Sequence, residues 1–235
     1  MKCIILAGGK GSRLSEYTYK IPKPMVKIGG KPILDYIIKF YIKYGVKEFF
    51  IAAGYKVKVI KKYYNKTRFQ NIKINVINTG LNTLTGKRIK KLKKYFSENE
   101  NFYLTYGDGV SNVNIKKVYN LHKKKKAILT LTAVHPPARF GELKIKKNNL
   151  IDFDEKPQLV NGWINGGFFV MNSSFFKILT NKNVMLERDP INKVVKLKKA
   201  AVYKHEGFWY CMDNLRDKIV LEKLLKNKKA SWIKN

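Results

Sequence analysis

A short apolar run that ends in a glycine-rich turn, LAGGKGSRL at residues 6–14, constrains the fold more than any other part of the sequence. Continuous apolar runs of this kind are typical of strands buried on both faces of a parallel sheet. The turn matches neither of two common phosphate-binding forms. Gly11 is followed by Ser12 and Arg13 rather than by the Lys-[ST] pair of a Walker loop, and Leu14 stands where a Rossmann fingerprint has its third glycine. Two interpretations remain: a phosphate-binding turn whose arginine contacts phosphate oxygens, and a tight turn with an exposed arginine.

The first 135 residues alternate short apolar runs with stretches of helical periodicity. This alternation predicts an α/β fold, with a Rossmann-like, mixed, mainly parallel sheet flanked by helices. The predicted strands are 2–7, 48–53, 73–78, 102–106 and 127–134. The predicted helices are 32–44, 56–65, 86–96 and 114–126.

From about residue 140 the predicted strands become closely spaced, which indicates a β-rich second half. They are 141–146, 150–155, 164–171 and 200–205, with helices near 173–180 and 214–227. Asp213 precedes the last helix and is a residue type favoured as an N-cap. We see no linker and no internal repeat, so we predict one domain over 1–235, with a nucleotide-binding half (1–135) and a second half (136–235) that ends in the last helix.

The formal charge of the 235-residue chain is +33, from 49 Lys and Arg against 16 Asp and Glu. Such an excess is compatible with a nucleic-acid partner. However, the lysines are scattered through every segment, and we recognise no nucleic-acid-reading module. We therefore expect a solvated lysine-rich surface that attracts anionic substrates, and no nucleic-acid partner.

The sequence contains no apolar run long enough to cross a membrane and no signal peptide, so we expect a cytoplasmic protein without a membrane segment. Cys3 and Cys211 stand in apolar or aromatic surroundings without metal-type spacing. We therefore expect two buried free thiols, which a reducing compartment would preserve.

Two aspartates are candidate ligands for a metal ion, the first of them at the end of a predicted strand. Asp108 stands between two glycines in YGDG, where its carboxylate could bind Mg²⁺. Asp213, in FWYCMDNLRD, is the candidate second ligand. The alternatives are an ordinary turn aspartate for the first and a helix cap for the second.

Three further stretches could bind an anionic ligand. Lys23 lies in YKIPKPM, whose prolines reduce the entropy lost when a lysine is held in place. Glu155 and Lys156 end a predicted strand before a proline, and Asn165 with Gly166 opens the strand INGGFFV, where bare backbone permits close approach of a ligand. Each of these stretches is by itself weak support for a binding site.

Taken together, the motifs follow one another along nearly the whole chain in the order LAGGKGSRL, PKPM, GGKPIL, YGDG, FGEL, EKP, NGGFFV and the late aspartate. In this combination the chain resembles the sugar-phosphate nucleotidyltransferases. Within that family, TYGDGV, RFGELKI, INGGFFVMN and GFWYCMDNLRDK are most similar to enzymes that use CTP and α-D-glucose 1-phosphate. The resemblance implies the nucleotide-diphospho-sugar transferase type of fold, a Mg²⁺ cofactor and a homo-oligomer.

The resemblance also implies roles for matching residues. Five would be catalytic, with the two aspartates holding the metal: Arg13, Lys23, Asp108, Lys156 and Asp213. The nucleotide would contact Leu6, Ala7, Gly8, Gly9, Gly11, Ser12, Arg13, Lys23, Thr79, Gly80, Thr85, Gly86 and Arg88. The sugar phosphate would contact Gly141, Glu155, Lys156, Asn165 and Gly166.

Three departures from the family pattern leave alternatives open. Asn78 stands where we expect Asp, and Lys87 where we expect Gly, so the nucleotide could be UTP, dTTP or GTP, or the acceptor another phosphorylated compound. The stretch 64–72 is shorter than expected, which bears on the oligomer. A nucleotide- or RNA-binding protein without turnover is the alternative from a different class.

Overall fold

The structure, a computed structural model, describes residues 1–67, 69–137, 141–154 and 162–234. Its strands are β1 (Lys2–Ala7), β2 (Lys27–Ile28), β3 (Lys31–Pro32), β4 (Glu48–Ala53), β5 (Lys73–Asn78), β6 (Asn101–Tyr106), β7 (Gly109–Ser111), β8 (Leu129–Val134), β9 (Glu142–Lys146), β10 (Asn149–Asp154), β11 (Ile164–Asn172), β12 (Ala200–His205) and β13 (Trp209–Cys211). Its α-helices are α1 (Ser15–Thr18), α2 (Ile33–Lys43), α3 (Val57–Lys66), α4 (Thr85–Lys90), α5 (Ile115–Lys124), α6 (Phe175–Ile178), α7 (Asp189–Lys196), α8 (Leu215–Lys226) and α9 (Ser231–Lys234).

Seven strands form the central sheet, in the order β12-β8-β11-β6-β1-β4-β5. The neighbours β6, β1, β4 and β5 are parallel, and β12 is parallel to β8. Only β11 runs antiparallel to its neighbours in this sheet, and it joins the two parallel groups. The predicted mixed, mainly parallel sheet is confirmed, and it takes strands from both halves of the chain.

The core has one apolar layer on each face of the sheet, because successive side chains of a strand point to opposite faces. Along β1, Cys3 and Ile5 belong to one layer, and Ile4 and Leu6 belong to the other. All four side chains are buried. This two-sided burial explains why the strand reads as a continuous apolar run rather than as an alternating one.

The predicted strands all form, with ends shifted by at most two residues. The predicted helix 86–96 is wrong in extent, because α4 ends at Lys90 and a separate 3₁₀ turn covers Lys93–Tyr95. Helix α7 and the antiparallel pair of β7 with β13 were not predicted from the sequence. Strands of three residues carry too little periodicity to be recognised, and their pairing joins distant parts of the chain.

Within the described parts of the chain, no helix has the length and apolar character needed to cross a bilayer.

Candidate active site

A cavity of about 700 Å³ opens at the carboxyl ends of the parallel strands β1 and β6, beside residues 81–84, which follow β5. Because β11 is antiparallel to β6, its first residues lie at the same edge of the sheet. This is the edge at which open α/β sheets bind ligands. The structure brings ten of the predicted site residues into the wall of this cavity: Leu6, Gly8, Gly9, Arg13, Thr85, Arg88, Asp108, Asn165, Gly166 and Asp213.

Two carboxylates and two cations meet at one end of the cavity. Lys23 Nζ donates to Asp108 Oδ2 and to Asp213 Oδ1, at 2.7 Å in each case. Arg13 Nη1 lies 2.8 Å from Asp213 Oδ2. The Arg13 side chain is 71% exposed, whereas that of Lys23 is only 10% exposed. The lysine is therefore the buried centre of the cluster and the arginine its solvent-facing member.

The environment of Lys23 keeps its ammonium charged. Burial by itself lowers the pKa of Lys23, but the charge of Asp108 and the hydrogen bonds to both aspartates outweigh burial, and the net shift is upward. Charge-assisted hydrogen bonds to two carboxylates hold the side chain in one position.

The same carboxylates could hold a metal ion. Asp108, Cys211 and Asp213 each offer one ligand atom, and these atoms lie within 4.8 Å of one another. Burial, followed by the charge of Asp108, raises the pKa of the Cys211 thiol, so that it stays neutral. A neutral thiol is a poor ligand for a hard cation, while carboxylate oxygens suit Mg²⁺. The residues present therefore fit magnesium through the two aspartates. The expectation of a buried thiol is correct for Cys3 but not for Cys211, which is half-buried and lines the cavity.

Asp213 reaches this cluster because a neighbouring residue caps the helix that follows. The N-cap of α8 is Asn214, whose side chain accepts a hydrogen bond from the Asp217 backbone N–H, and the Asp217 carboxylate accepts from the backbone N–H groups of Asn214 and Asp213. The interpretation of Asp213 as the cap is therefore wrong. With a complete capping box next to it, its side chain lies against Lys23 and Arg13 instead.

The glycine-rich turn is held from two sides. Gly11 has a φ of +67°, and a Cβ there would fall 2.9 Å from Lys23 Cβ, so the turn packs closely on the lysine. The Thr18 hydroxyl donates to the Gly11 carbonyl at 3.0 Å, and the Tyr55 hydroxyl donates to the Thr18 carbonyl at 2.8 Å. Gly9, by contrast, has no atom within 4 Å of where a Cβ would lie, so its backbone is open toward the cavity.

The Arg88 guanidinium ties together the ends of three strands. It donates to the carbonyl of Gly8 after β1, to that of Ala53 at the end of β4, and to that of Gly80 after β5. It also donates to the hydroxyl of Thr79. The side chain is buried, and burial lowers its pKa. Arg88 lines the cavity, but its guanidinium is largely engaged with backbone oxygens that shape the wall.

The first residues of β11 form the opposite wall of the cavity. The Asn165 side chain accepts from the Gly167 N–H at 2.9 Å, and Trp209 Nε1 donates to the Gly166 carbonyl at 2.7 Å. Gly167 has a φ of +77°, and a Cβ there would fall 2.4 Å from the ring of Tyr106. Gly167 therefore allows Tyr106 to pack directly on the backbone of this wall, and the hydrogen bond from Trp209 holds the same backbone at Gly166.

Some of the predicted site residues do not line the cavity that the described residues form. Lys23 acts on it through the two aspartates, while the others lie behind the wall or away from it: Ala7, Gly11, Ser12, Thr79, Gly80, Gly86 and Gly141. Glu155 and Lys156 lie outside the described residues.

Several residues of the cavity wall were not predicted from the sequence, among them Tyr106, Trp209, Cys211, Met185 and the stretch 81–84. Tyr106 and Cys211 each stand two positions before a predicted metal ligand, so their strand-end position was an available signal. Met185 carried no such signal, because it reaches the cavity only through the packing of residues 183–187 against α4.

The family model for nucleotidyl transferases matches residues 2–214, and the chain belongs to this family. The Salmonella typhimurium glucose-1-phosphate cytidylyltransferase is 40% identical over 253 aligned positions, which cover 99% of this chain and 98% of that enzyme. The D-glycero-alpha-D-manno-heptose 1-phosphate guanylyltransferase of Aneurinibacillus thermoaerophilus is 34% identical over 203 positions, covering 85% of this chain and 87% of that enzyme.

Solved structures of related fold agree with this assignment. HddC from Yersinia pseudotuberculosis, complexed with GMP-PN, superimposes with a TM-score of 0.72 at 25% identity, over 95% of this chain and 99% of that one. UDP-glucose pyrophosphorylase complexed with UDP-glucose superimposes with a TM-score of 0.73 at 18% identity, over 97% of this chain and 98% of that one. The fold is thus that of the nucleotide-diphospho-sugar transferases.

Proposed function

We propose that this protein transfers a cytidylyl group from CTP to α-D-glucose 1-phosphate, giving CDP-glucose and pyrophosphate. The observation that carries the choice of substrates is the 40% identity with the Salmonella typhimurium enzyme over nearly the full length of both chains. The paired carboxylates, with Lys23 and Arg13 beside them at the end of one cavity, support the transfer itself.

In the proposed reaction an oxygen of the sugar 1-phosphate attacks the α-phosphorus of CTP, and the bond from that phosphorus to the bridging oxygen of the β-phosphate breaks. The attacking phosphate is already ionised at neutral pH, so the reaction needs no general base. The barrier comes from bringing two polyanions together, and the protein lowers it by alignment and positive charge.

Each charged residue has a place in this scheme. Arg13, Lys23 and the backbone of Gly8 and Gly9 bind the triphosphate, and of the two glycines Gly9 is the open position. Asp108 and Asp213 would hold a magnesium ion, which would supply further positive charge to the reacting phosphates. The backbone around Leu6, Ala7, Gly11 and Ser12 supports this turn. The base lies on the side of the cavity formed by Thr85 and Arg88, and Thr79, Gly80 and Gly86 support this wall from behind.

On the acceptor side, Lys156 binds the sugar 1-phosphate, while Glu155, Gly141, Asn165 and Gly166 contact the sugar. We also propose a cytoplasmic homo-oligomer. Free thiols at Cys3 and Cys211 suit a reducing compartment. The stretch 64–72, which is shorter than the family pattern leads us to expect, bears on how the copies assemble.

A guanylyltransferase among the relatives, and a related fold complexed with GMP-PN, favour GTP as the second candidate nucleotide. Pyrophosphate release is therefore measured with Mg²⁺ and α-D-glucose 1-phosphate, with CTP, UTP, dTTP or GTP as donor. Asp108→Asn and Asp213→Asn serve as matched variants that keep side-chain volume and remove the carboxylate charge.

A strong preference for CTP, with both variants inactive yet folded, is the expected result. Activity with another nucleotide would keep the transfer and contradict the choice of base. Silence with all four nucleotides and with other sugar phosphates would contradict the transfer and favour a binding protein. In that case RNA binding at physiological salt separates the two remaining binding functions.

A further inference from the structure

Glu187 lies just behind the cavity wall, one residue after the buried Leu186 and two before α7. Its two carboxylate oxygens accept hydrogen bonds from side chains that belong to two different walls of the cavity. Oε2 accepts from the Thr85 hydroxyl at 2.8 Å, and Oε1 accepts from the Tyr106 hydroxyl. Thr85 and Tyr106 both line the cavity. The carboxylate therefore joins two side chains that come from separate elements, the first turn of α4 and the end of β6.

The backbone that carries Glu187 is held firmly against α4. Leu186 N–H donates to the Thr85 hydroxyl at 2.7 Å, and Gly86 N–H donates to the Val184 carbonyl at 3.0 Å. Asn183 accepts from the Leu84 N–H at 2.8 Å. Because Thr85 accepts from Leu186, its own hydroxyl proton is directed to Glu187. Residues 183–187 and the start of α4 thus form one hydrogen-bonded unit.

Tyr106 links this unit to the β11 wall. Its ring lies against Gly167, where a Cβ would fall 2.4 Å away, and Gly167 N–H donates to the Asn165 side chain. Burial, followed by the charge of Glu187, raises the pKa of Tyr106, and a hydrogen bond with Asn165 opposes this only in part. The phenol therefore remains a protonated donor to Glu187.

We propose that Glu187 is a positioning residue that sets the nucleotide-side turn at Thr85 and the acceptor-side wall at Tyr106 in one fixed relation. This role rests on the proposed function, in which the nucleotide contacts the start of α4 and the sugar contacts Asn165 and Gly166. A single carboxylate then controls how tightly both substrates bind, although it touches neither.

A purely structural carboxylate of the same chemistry exists elsewhere in the chain and provides the control. Asp35 on α2 is buried and accepts from the hydroxyls of Tyr63 and Tyr64 on α3, at 2.6 and 2.7 Å. It does not line the cavity formed by the described residues. Loss of either carboxylate leaves two hydroxyls without their acceptor, so both variants should lower thermal stability.

The test compares Glu187→Ala, Glu187→Gln and Asp35→Ala in the full chain. Pyrophosphate release gives KM for each substrate, and calorimetric titration with CTP gives nucleotide affinity without turnover. We expect Glu187→Ala to raise KM for both substrates about tenfold and to weaken CTP binding similarly. Glu187→Gln, which keeps an acceptor oxygen, should recover most of this loss. Asp35→Ala should lower Tm while both KM values stay at the wild-type level.

Two wall variants separate the two contacts. Tyr106→Phe should raise KM for the sugar phosphate alone, and Thr85→Val should raise KM for the nucleotide alone.

If Glu187→Ala lowers Tm without moving either KM, as Asp35→Ala does, the positioning role is wrong. If only one KM changes, the link between the walls is wrong. A wild-type chain that binds CTP without turnover would contradict the proposed reaction, while the CTP titration would still test Glu187. A wild-type chain that neither binds CTP nor releases pyrophosphate would contradict both proposals.

Discussion

At the scale of single residues, the main finding is that Lys23 bridges the two aspartates. One ammonium and the Arg13 guanidinium balance the charge of two carboxylates. The charges of these four side chains therefore cancel. A divalent cation that binds both aspartates has to compete with Lys23, and a triphosphate offers the lysine a new anionic partner.

This competition predicts the behaviour of Lys23→Met, which keeps the apolar stem and removes the charge. Turnover should fall by about 100-fold, because a cation at the reacting phosphates is lost. Without nucleotide, however, the variant should bind Mn²⁺ more tightly than the wild type, since no ammonium has to be displaced. Titration followed by electron paramagnetic resonance of free Mn²⁺ measures this affinity.

The matched control is Lys20→Met, which removes an exposed lysine from the same loop. Its Nζ lies over the Tyr19 ring rather than on a carboxylate. Both its turnover and its Mn²⁺ affinity should match the wild type. Equal Mn²⁺ affinity in Lys23→Met and the wild type would show that the lysine does not compete with the metal.

At the scale of elements, the site depends on three strand ends that Arg88 holds together. The backbone at these ends must approach the guanidinium closely, and glycines make this possible. A Cβ on Gly54, directly after β4, would fall 2.6 Å from both Arg88 Nη1 and the Gly80 carbonyl oxygen. One of these neighbours is backbone, so the clash cannot be relieved by a side-chain movement.

Gly54→Ala should therefore lower the free energy of unfolding by about 2–3 kcal/mol, through overpacking and the loss of buried hydrogen bonds. Gly9→Ala, where a Cβ meets no atom within 4 Å, should change it by less than about 1 kcal/mol. Urea unfolding followed by circular dichroism measures both. Equal stability of the two variants would mean that the strand ends can separate without loss.

At the scale of the whole molecule, the charge of +33 is the dominant property. Exposed lysines lie on several elements, including α3, α5, α7 and α8. They form a broad positive surface rather than one stripe. Such a surface raises the local concentration of polyanions and is screened by salt.

We therefore expect kcat/KM for the nucleotide to fall by about 3- to 10-fold between roughly 30 and 300 mM KCl, with little change in kcat. The uncharged nucleoside cytidine, used as a competitive inhibitor, should show no such dependence. A kcat/KM that is independent of salt would contradict long-range attraction. Tight binding of RNA at physiological salt would instead favour a nucleic-acid partner.

Comparison of sequence with structure shows which features are local. The strands of the central sheet could be predicted because burial on both faces leaves a continuous apolar run. The edge of the sheet that carries the site could also be predicted, since parallel strands end together. The extent of α4 could not, because its end packs against distant residues, as the hydrogen bond from Lys90 Nζ to the Phe176 carbonyl shows. The role of Asp213 was also open, because Asp and Asn both favour the N-cap position and the sequence places Asp213 next to Asn214.

The sequence by itself determined the strands of the central sheet, the two-layer core, the family and the residue types gathered at one edge of the sheet. Only the tertiary structure decided which of these residues meet. Lys23 bridges partners 85 and 190 positions away, Arg88 reaches back 80 positions to Gly8, and Glu187 joins Thr85 to Tyr106. Apolar periodicity records the environment of each strand, which is a local property of the chain. Convergence of side chains depends on strand order and register, which only the assembled sheet establishes.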